Sequence, residues 1–241
     1  MVLYRLTMMK IASYNIRKAI GTDRRRNPER IVEVLNEIDA DVIALQEADR
    51  RFGQRHAVLP DRLLEAHSPY RSVPLAIQAG SMGWHGNAIL VREGVEVTGH
   101  DVIHLPCLEP RGAVGVGVRL NGVALRLYGM HLDLSGLWRR RQAAAMLRHV
   151  EIANTHGAPM PSVLVGDTNE WTQGGGCLRD FARHYTILSC GRSFHARRPV
   201  ASLDRIMVGE GLKARESGVH ASALARRASD HLPVWAVLEQ D

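Results

Sequence analysis

Hydrophobic and polar positions along this chain switch between a period of two and a period near 3.6, and the switches lay out its elements. Lys10 to Asn15 reads as a strand, with Ile11 and Ser13 on one face and Ala12 and Tyr14 on the other. Asn27-Pro28-Glu29 then opens a helix with a capping amide, a proline at the first helical position and an acid in the first turn. Ile31, Val34, Leu35 and Ile38 follow at i, i+3, i+4 and i+7, one apolar stripe. Val42 to Leu45 is a short buried strand that ends on Gln46-Glu47, Asp61 to Ala66 a short helix, and Asn87 to Val91 a further strand. Asn121-Gly122, between two alternating apolar runs, predicts a hairpin of Ala113 to Leu120 with Val123 to His131. The turn sets Leu120 opposite Val123, Val118 opposite Leu125, Val116 opposite Leu127 and Gly112 opposite His131. A helix capped by Ser135 runs to about Asn154 and closes at Gly157. Val163 to Val165 is a buried strand between prolines and Gly166; Leu203 to Val208 and Val234 to Leu238 are the last two strands.

Polar residues gather where these strands end: Asn15, Glu47, His131, Asp167, Asn169, Asp204, Asp230 and His231. Asp and Asn also cap turns, so Asp167 and Asn169 alone decide nothing. A carboxylate placed directly after an apolar strand, as Glu47 is, is costly to bury without a cation. Carboxylates and amides are hard oxygen donors, suited to Mg²⁺ or Mn²⁺ better than to zinc. An acid beside a histidine supports its imidazole. With a divalent cation such a set suits phosphoester hydrolysis: charge neutralisation, water activation and donors for phosphate oxygens. Arg111 and His131 share one end of the hairpin. Strict alternation points them to opposite faces, so they meet only if a bulge or the strand end intervenes.

The 241 residues carry no repeat or linker and read as one domain, 1–241, with 1–9 as an extension before the first strand. No apolar run approaches the ~20 residues that span a bilayer, and the N-terminus lacks a signal-peptide core. Cys107, Cys177 and Cys190 form neither a disulfide framework nor a zinc pattern, which points to the cytoplasm. The net charge is +6, and only three of the 31 cationic residues are lysines. Arginine forks match phosphate, so an anionic partner is expected. Arg24 to Arg26, Arg50, Arg51 and Arg55 are basic clusters, whereas Arg139, Arg140 and Arg141 read as a solvated helix face. Gly174 to Gly176 lacks the Lys-Ser/Thr of a nucleotide loop. Aromatics at 5% offer no stacking arm for single strands.

The ordered set Ser13-Tyr-Asn15, Leu45-Gln-Glu47, Gly86-Asn-Ala-Ile-Leu90, Met130-His-Leu132, Gly166-Asp-Thr-Asn169, Leu203-Asp-Arg-Ile206 and Ser229-Asp-His-Leu-Pro233 resembles the endonuclease/exonuclease/phosphatase (DNase I-like) superfamily. That group spans DNase I, abasic-site endonucleases, inositol polyphosphate 5-phosphatases and neutral sphingomyelinases. The resemblance runs from about residue 10 to the last strand. It implies an α/β (α+β) fold: a four-layer α/β/β/α sandwich of two packed mixed β-sheets flanked by helices, with the site at one end. It implies Glu47 as the main ligand of Mg²⁺, with Mn²⁺ as the alternative, helped by Asn15 and Asp230. Asp167 would activate water, Asn169 bind phosphate, and His231, buttressed by Asp204, act on a phosphate oxygen. His131 and Arg111 would add phosphate contacts. Abasic-site endonucleases carry a tyrosine in the region of His131, which counts against that branch.

The implied enzyme is a metal-dependent, nuclease-like phosphodiesterase, expected as a monomer, with nucleic acid as one substrate class. The alternatives are a sphingomyelinase-like enzyme for phospholipid head groups, docked through an apolar edge of Met82, Trp84 and His85, and a phosphomonoesterase for sugar or inositol phosphates. A catalytically inactive binding module is the rival of a different class.

Overall fold

The computed structural model describes residues 8–50, 56–77 and 80–241. Most of the expected extension, and Arg51 and Arg55, lie outside the described residues. Met8 and Met9 do not belong to an extension: they already pair with Glu239 and Leu238, and Met9 is buried between the sheets.

In chain order the first half comprises β1 (Met8–Asn15), α1 (Pro28–Ile38), β2 (Val42–Gln46), α2 (Asp61–His67), β3 (Tyr70–Ser72), β4 (Ala88–Arg92), β5 (Glu96–Ile103), β6 (Gly112–Leu120) and β7 (Val123–His131). The second half comprises α3 (Gly136–His156), β8 (Ser162–Asp167), α4 (Gly176–Phe181), β9 (Thr186–Ile187), β10 (Asp204–Val208), β11 (Leu212–Val219), α5 (Ala223–Ala228) and β12 (Val234–Gln240). One sheet has the order β11-β12-β1-β2-β4-β3, the other β5-β6-β7-β8-β10-β9. Each is mixed: β1 and β2 are parallel, as are β7 and β8, and the other pairs run antiparallel.

Alternation sorts the apolar residues into three layers of core. Ile11, Ala44, Val116, Leu127, Val165 and Ile206 pack between the sheets. Tyr14, Ile43 and Leu45, one step out of phase, meet the stripe of α1 (Ile31, Val34, Leu35, Ile38) outside the first sheet. Tyr128, Met130 and Leu164 meet Ala143, Met146 and Phe181 of α3 and α4 outside the second. The result is the α/β/β/α sandwich.

Local chemistry sets the boundaries. Asn27 Oδ1 accepts the Arg30 N–H at 2.7 Å and Pro28 begins α1. Asn121 and Gly122 both take positive φ, 52° and 79°, so the hairpin closes with the expected register down to Gly112 opposite His131. Ser135 stands at the N-cap of α3 but its side chain caps nothing; the Asp133 carboxylate takes the Ser135 N–H instead. Arg139 does not belong to a solvated face. It is buried and pairs with Glu170 at 3.1 Å, because the start of α3 lies against the loop after β8. Arg140 and Arg141 are exposed, as expected of that face.

Two glycines separate backbone freedom from close approach. At Gly122 an added Cβ meets nothing within 4 Å; at Gly166 (φ 143°) it would lie 1.9 Å from the Met130 carbonyl oxygen in β7. Gly122→Ala is expected to cost about 1 kcal/mol. Gly166→Ala adds a steric clash and is expected to cost upwards of about 3 kcal/mol. Urea denaturation of the two variants measures the difference.

Candidate active site

Parallel pairing places Asn15 beside Gln46, and so beside the Glu47 that follows, at one rim of the first sheet. In the second sheet Asp167 ends β8 with His131 opposite it on β7 and Asp204 opposite it on β10. The two rims face each other, and a side-chain bond joins them: Asn15 Nδ2 donates to Asp167 Oδ2 at 3.0 Å. Asp230 and His231 come to the same end just before β12. Ser229 Oγ fixes that loop by donating to the Asn15 carbonyl at 2.7 Å.

Asp167 is the centre. It is 1% exposed, and its Oδ1 accepts the Asn169 N–H at 3.0 Å. The Nε2 atoms of His131 and His231 lie 3.4 and 3.7 Å from Oδ2. Behind His231, Asp204 Oδ2 holds Nδ1 at 2.9 Å and accepts from Ser193 Oγ at 2.5 Å. Asn169, at φ 50°, donates from Nδ2 to the Leu132 carbonyl at 2.9 Å, which leaves its second amide hydrogen and Oδ1 to the site. Arg111 precedes the first residue of β6, so the strand end frees it from alternation and its Nη1 reaches His131 Nε2 at 2.7 Å.

The titrating groups are pushed apart. Burial alone would lower the His231 imidazole, but the carboxylates of Asp204 and Asp167 outweigh it and push it up to about 9. Burial, with Arg111 adding, holds His131 well below the ordinary imidazole range. One imidazole is therefore a cation at neutral pH and the other neutral. Burial raises the Asp167 carboxyl and Asp204 adds to it, while His231 and the Asn169 and Asn15 donors pull it back.

Of the oxygen donors expected for a metal, Glu47 lines a pocket of about 80 Å³ together with Asp49, His131, Arg111 and Lys18, while Asn15 and Asp230 stand outside its wall. The Lys18 ammonium already sits against Glu47 Oε2, and Arg17 Nε lies 3.2 Å from Asp230 Oδ2. Both bases ride a turn in which Arg17, Lys18 and Ala19 all have positive φ. A cation is thus accommodated at Glu47, whose carboxylate is a hard oxygen donor suited to a divalent ion, while Asn15 Oδ1 accepts the Arg17 N–H at 3.1 Å. Asp167, Asp204 and His231 also converge within 4.8 Å. The imidazolium already supplies the cation that this cluster needs, and Asp204 Oδ2 is taken by Ser193 and His231.

All eight strand-end residues and Arg111 therefore come to one end of the sandwich. Sequence reasoning missed Ser193, whose loop carries no motif, and Trp171. Trp171 is 61% exposed beside the Asp167 loop; its ring meets Phe194, which packs on His231 at 4.9 Å. The apolar membrane edge is not formed. Met82 is buried and Trp84 half-buried, its ring 4.8 Å from that of His104. No helix among the described residues is long and apolar enough to cross a membrane.

A family model described as "Endonuclease/Exonuclease/phosphatase family" matches residues 12–231. Comparison with curated proteins finds no match. An endonuclease/exonuclease/phosphatase family protein from Bacteroides thetaiotaomicron aligns at a TM-score of 0.76 and 18% identity, covering 98% of each chain. An endonuclease/exonuclease/phosphatase from Beutenbergia cavernae aligns at 0.74 and 22% identity, covering 97% of this chain and 72% of that one. A mannosyl-6-phosphatase from Bacteroides thetaiotaomicron aligns at 0.75 and 19% identity, covering 95% and 99%. At these identities the likeness establishes the fold.

Because the folded pKa of His231 is raised, its proton stabilises the fold fully below its unfolded value near 6.5, and that contribution is lost as pH rises through about 9. In an NMR titration the His231 ring is expected to stay protonated past pH 8, and Asp204→Asn to move its midpoint down. A His231 midpoint near 6.5 in the wild type would contradict the electrostatics.

Proposed function

The chain belongs to the endonuclease/exonuclease/phosphatase family, whose members are typically divalent-metal-dependent phosphoester hydrolases, and on that premise we propose that it hydrolyses phosphodiesters in a nuclease-like reaction. One observation carries the reading: a buried Asp167 stands between a neutral and a cationic imidazole, beside a pocket walled by Glu47, Lys18 and Arg111.

Glu47, with Asn15 and Asp230, would hold Mg²⁺ or Mn²⁺, which when bound neutralises charge on the phosphate and its leaving oxygen. The chain's own residues supply the rest. Arg111 and His131 orient the phosphate, and Asn169 adds its free amide hydrogen. Asp167, with its raised affinity for a proton, takes one from the attacking water. The water oxygen bonds to phosphorus as the bond to the leaving oxygen breaks. His231 Nε2 gives that oxygen its proton, and Asp204, kept in place by Ser193, holds the ring at Nδ1. Asp167 and His231 are 3.7 Å apart, so the two protonation states reset by transfer across the site.

The +6 charge and the arginine-rich surroundings favour nucleic acid as the substrate class. With Met82 buried and Trp84 half-buried, the membrane-docking reading loses its apolar edge. A phosphomonoesterase is the second reading, favoured by the small size of the pocket, suited to a terminal phosphate, and by the mannosyl-6-phosphatase among the similar structures.

Bis(p-nitrophenyl) phosphate and p-nitrophenyl phosphate, assayed with Mg²⁺, Mn²⁺ or EDTA, test the reading. Diester cleavage that EDTA abolishes is expected, with a loss of about 10²- to 10⁴-fold in kcat for Asp167→Asn. Cleavage of the monoester alone would select the second reading. Full activity in EDTA or in Asp167→Asn would refute the mechanism.

A further inference from the structure

Next to the active site lies a second pocket, of about 240 Å³, between the start of α1 and the segment leading into α2. Its wall holds three guanidinium-bearing residues from three parts of the chain: Arg26 before α1, Arg50 after β2 and Arg62 in the first turn of α2. All three are exposed. Glu29 is the one carboxylate in that wall among the described residues, so the pocket carries a surplus of positive charge. None of the three arginines forms an ion pair with a described residue. Their neighbours behave differently: Arg30 and Arg227 are both tied to Asp23, at 2.7 and 3.1 Å. Three arginines without an ion-pair partner around one hollow give it a positive potential that favours an anion.

The hollow is also coupled to the site. Arg50 lines both pockets. Arg26 Nε donates to the Lys18 carbonyl at 3.2 Å, in the turn that carries Lys18 to Glu47. Arg50 therefore places this hollow within reach of an extended substrate whose scissile phosphate lies at Glu47 and Arg111.

We infer that the Arg26–Arg50–Arg62 pocket binds a second phosphate of the substrate, one that neighbours the scissile phosphate along a nucleic-acid strand. The inference rests on the phosphodiesterase reading and narrows it to substrates with consecutive phosphates. It also explains how a chain without a stacking arm holds a strand: its affinity comes from phosphate contacts.

The test separates binding from turnover. Binding of a labelled single-stranded oligothymidylate is followed by fluorescence anisotropy in EDTA, where no metal-dependent cleavage intervenes. Arg62→Gln is expected to weaken binding at least fivefold. The Arg26→Gln/Arg62→Gln pair is expected to weaken it further and to flatten the dependence of log Kd on log salt by about 0.7, the value for one single-strand phosphate that is no longer neutralised. Turnover of bis(p-nitrophenyl) phosphate, which has one phosphate, is expected to stay at the wild-type rate in Arg62→Gln. Arg62 makes no side-chain bond to a described residue, so its single variant reports on the pocket even if removal of Arg26 disturbs the Lys18 turn. Absence of oligothymidylate binding by the wild type, or equal affinity and salt slope in wild type and Arg62→Gln, overturns the inference. Weakened binding in Arg62→Gln together with no diester cleavage by the wild type upholds the pocket and removes the hydrolase reading.

Discussion

The buried carboxylate of Asp167 is the constraint on which the rest of this end of the molecule depends. A carboxylate at 1% exposure is tolerated only with hydrogen bonds and opposite charge around it. Its partners come from both sheets: Asn15 donates from the end of β1, Asn169 donates from its own loop, and His231 brings positive charge from the loop before β12, with the neutral His131 of β7 beside them. The Asn15 contact closes a separation of 152 residues, so the group is satisfied only when the two rims are in register. Folding the sandwich and assembling the site are the same event.

Around that carboxylate, positive and negative groups alternate. Asp204 and Asp167 bracket the His231 imidazolium. Glu47 faces Lys18, and Asp230 faces Arg17. His131, pressed by Arg111, stays neutral. On the proposed reading the site thus has a proton-handling half, where His231 from the loop before β12 meets Asp167 and Asp204 of the second sheet, and a cation-binding half at Glu47. Asp167 lies between them, where a water attacking a phosphate held at Glu47 would be met.

How much of this the chain disclosed depends on whether neighbours in sequence made the structure. The α1 stripe, the Asn121-Gly122 turn and the patterns of β1, β2, β8 and β12 follow from local periodicity, and the strand ends hold Asn15, Glu47, Asp167 and His231. The strands β5 and β11 escaped notice because they are largely exposed edges whose polar residues fall in no strict alternation. Arg139 misled because its partner, Glu170, is distant in sequence and buries a charge that reads as surface. Ser193, Trp171 and the Lys18–Glu47 pair depend on loop geometry, and so does the meeting of Arg111 with His131, decided by where β6 begins.

The central claim is that cation binding and proton transfer are separate halves of one site, joined at Asp167. Calorimetric titration of Mn²⁺ into the wild type, Glu47→Gln and Asp204→Asn tests it most directly. The account predicts saturable binding in the wild type, binding close to wild type in Asp204→Asn, and loss of at least tenfold in affinity in Glu47→Gln. Full affinity without Glu47, or affinity that collapses with Asp204, would place the cation in the buried Asp167–Asp204–His231 cluster and contradict the account.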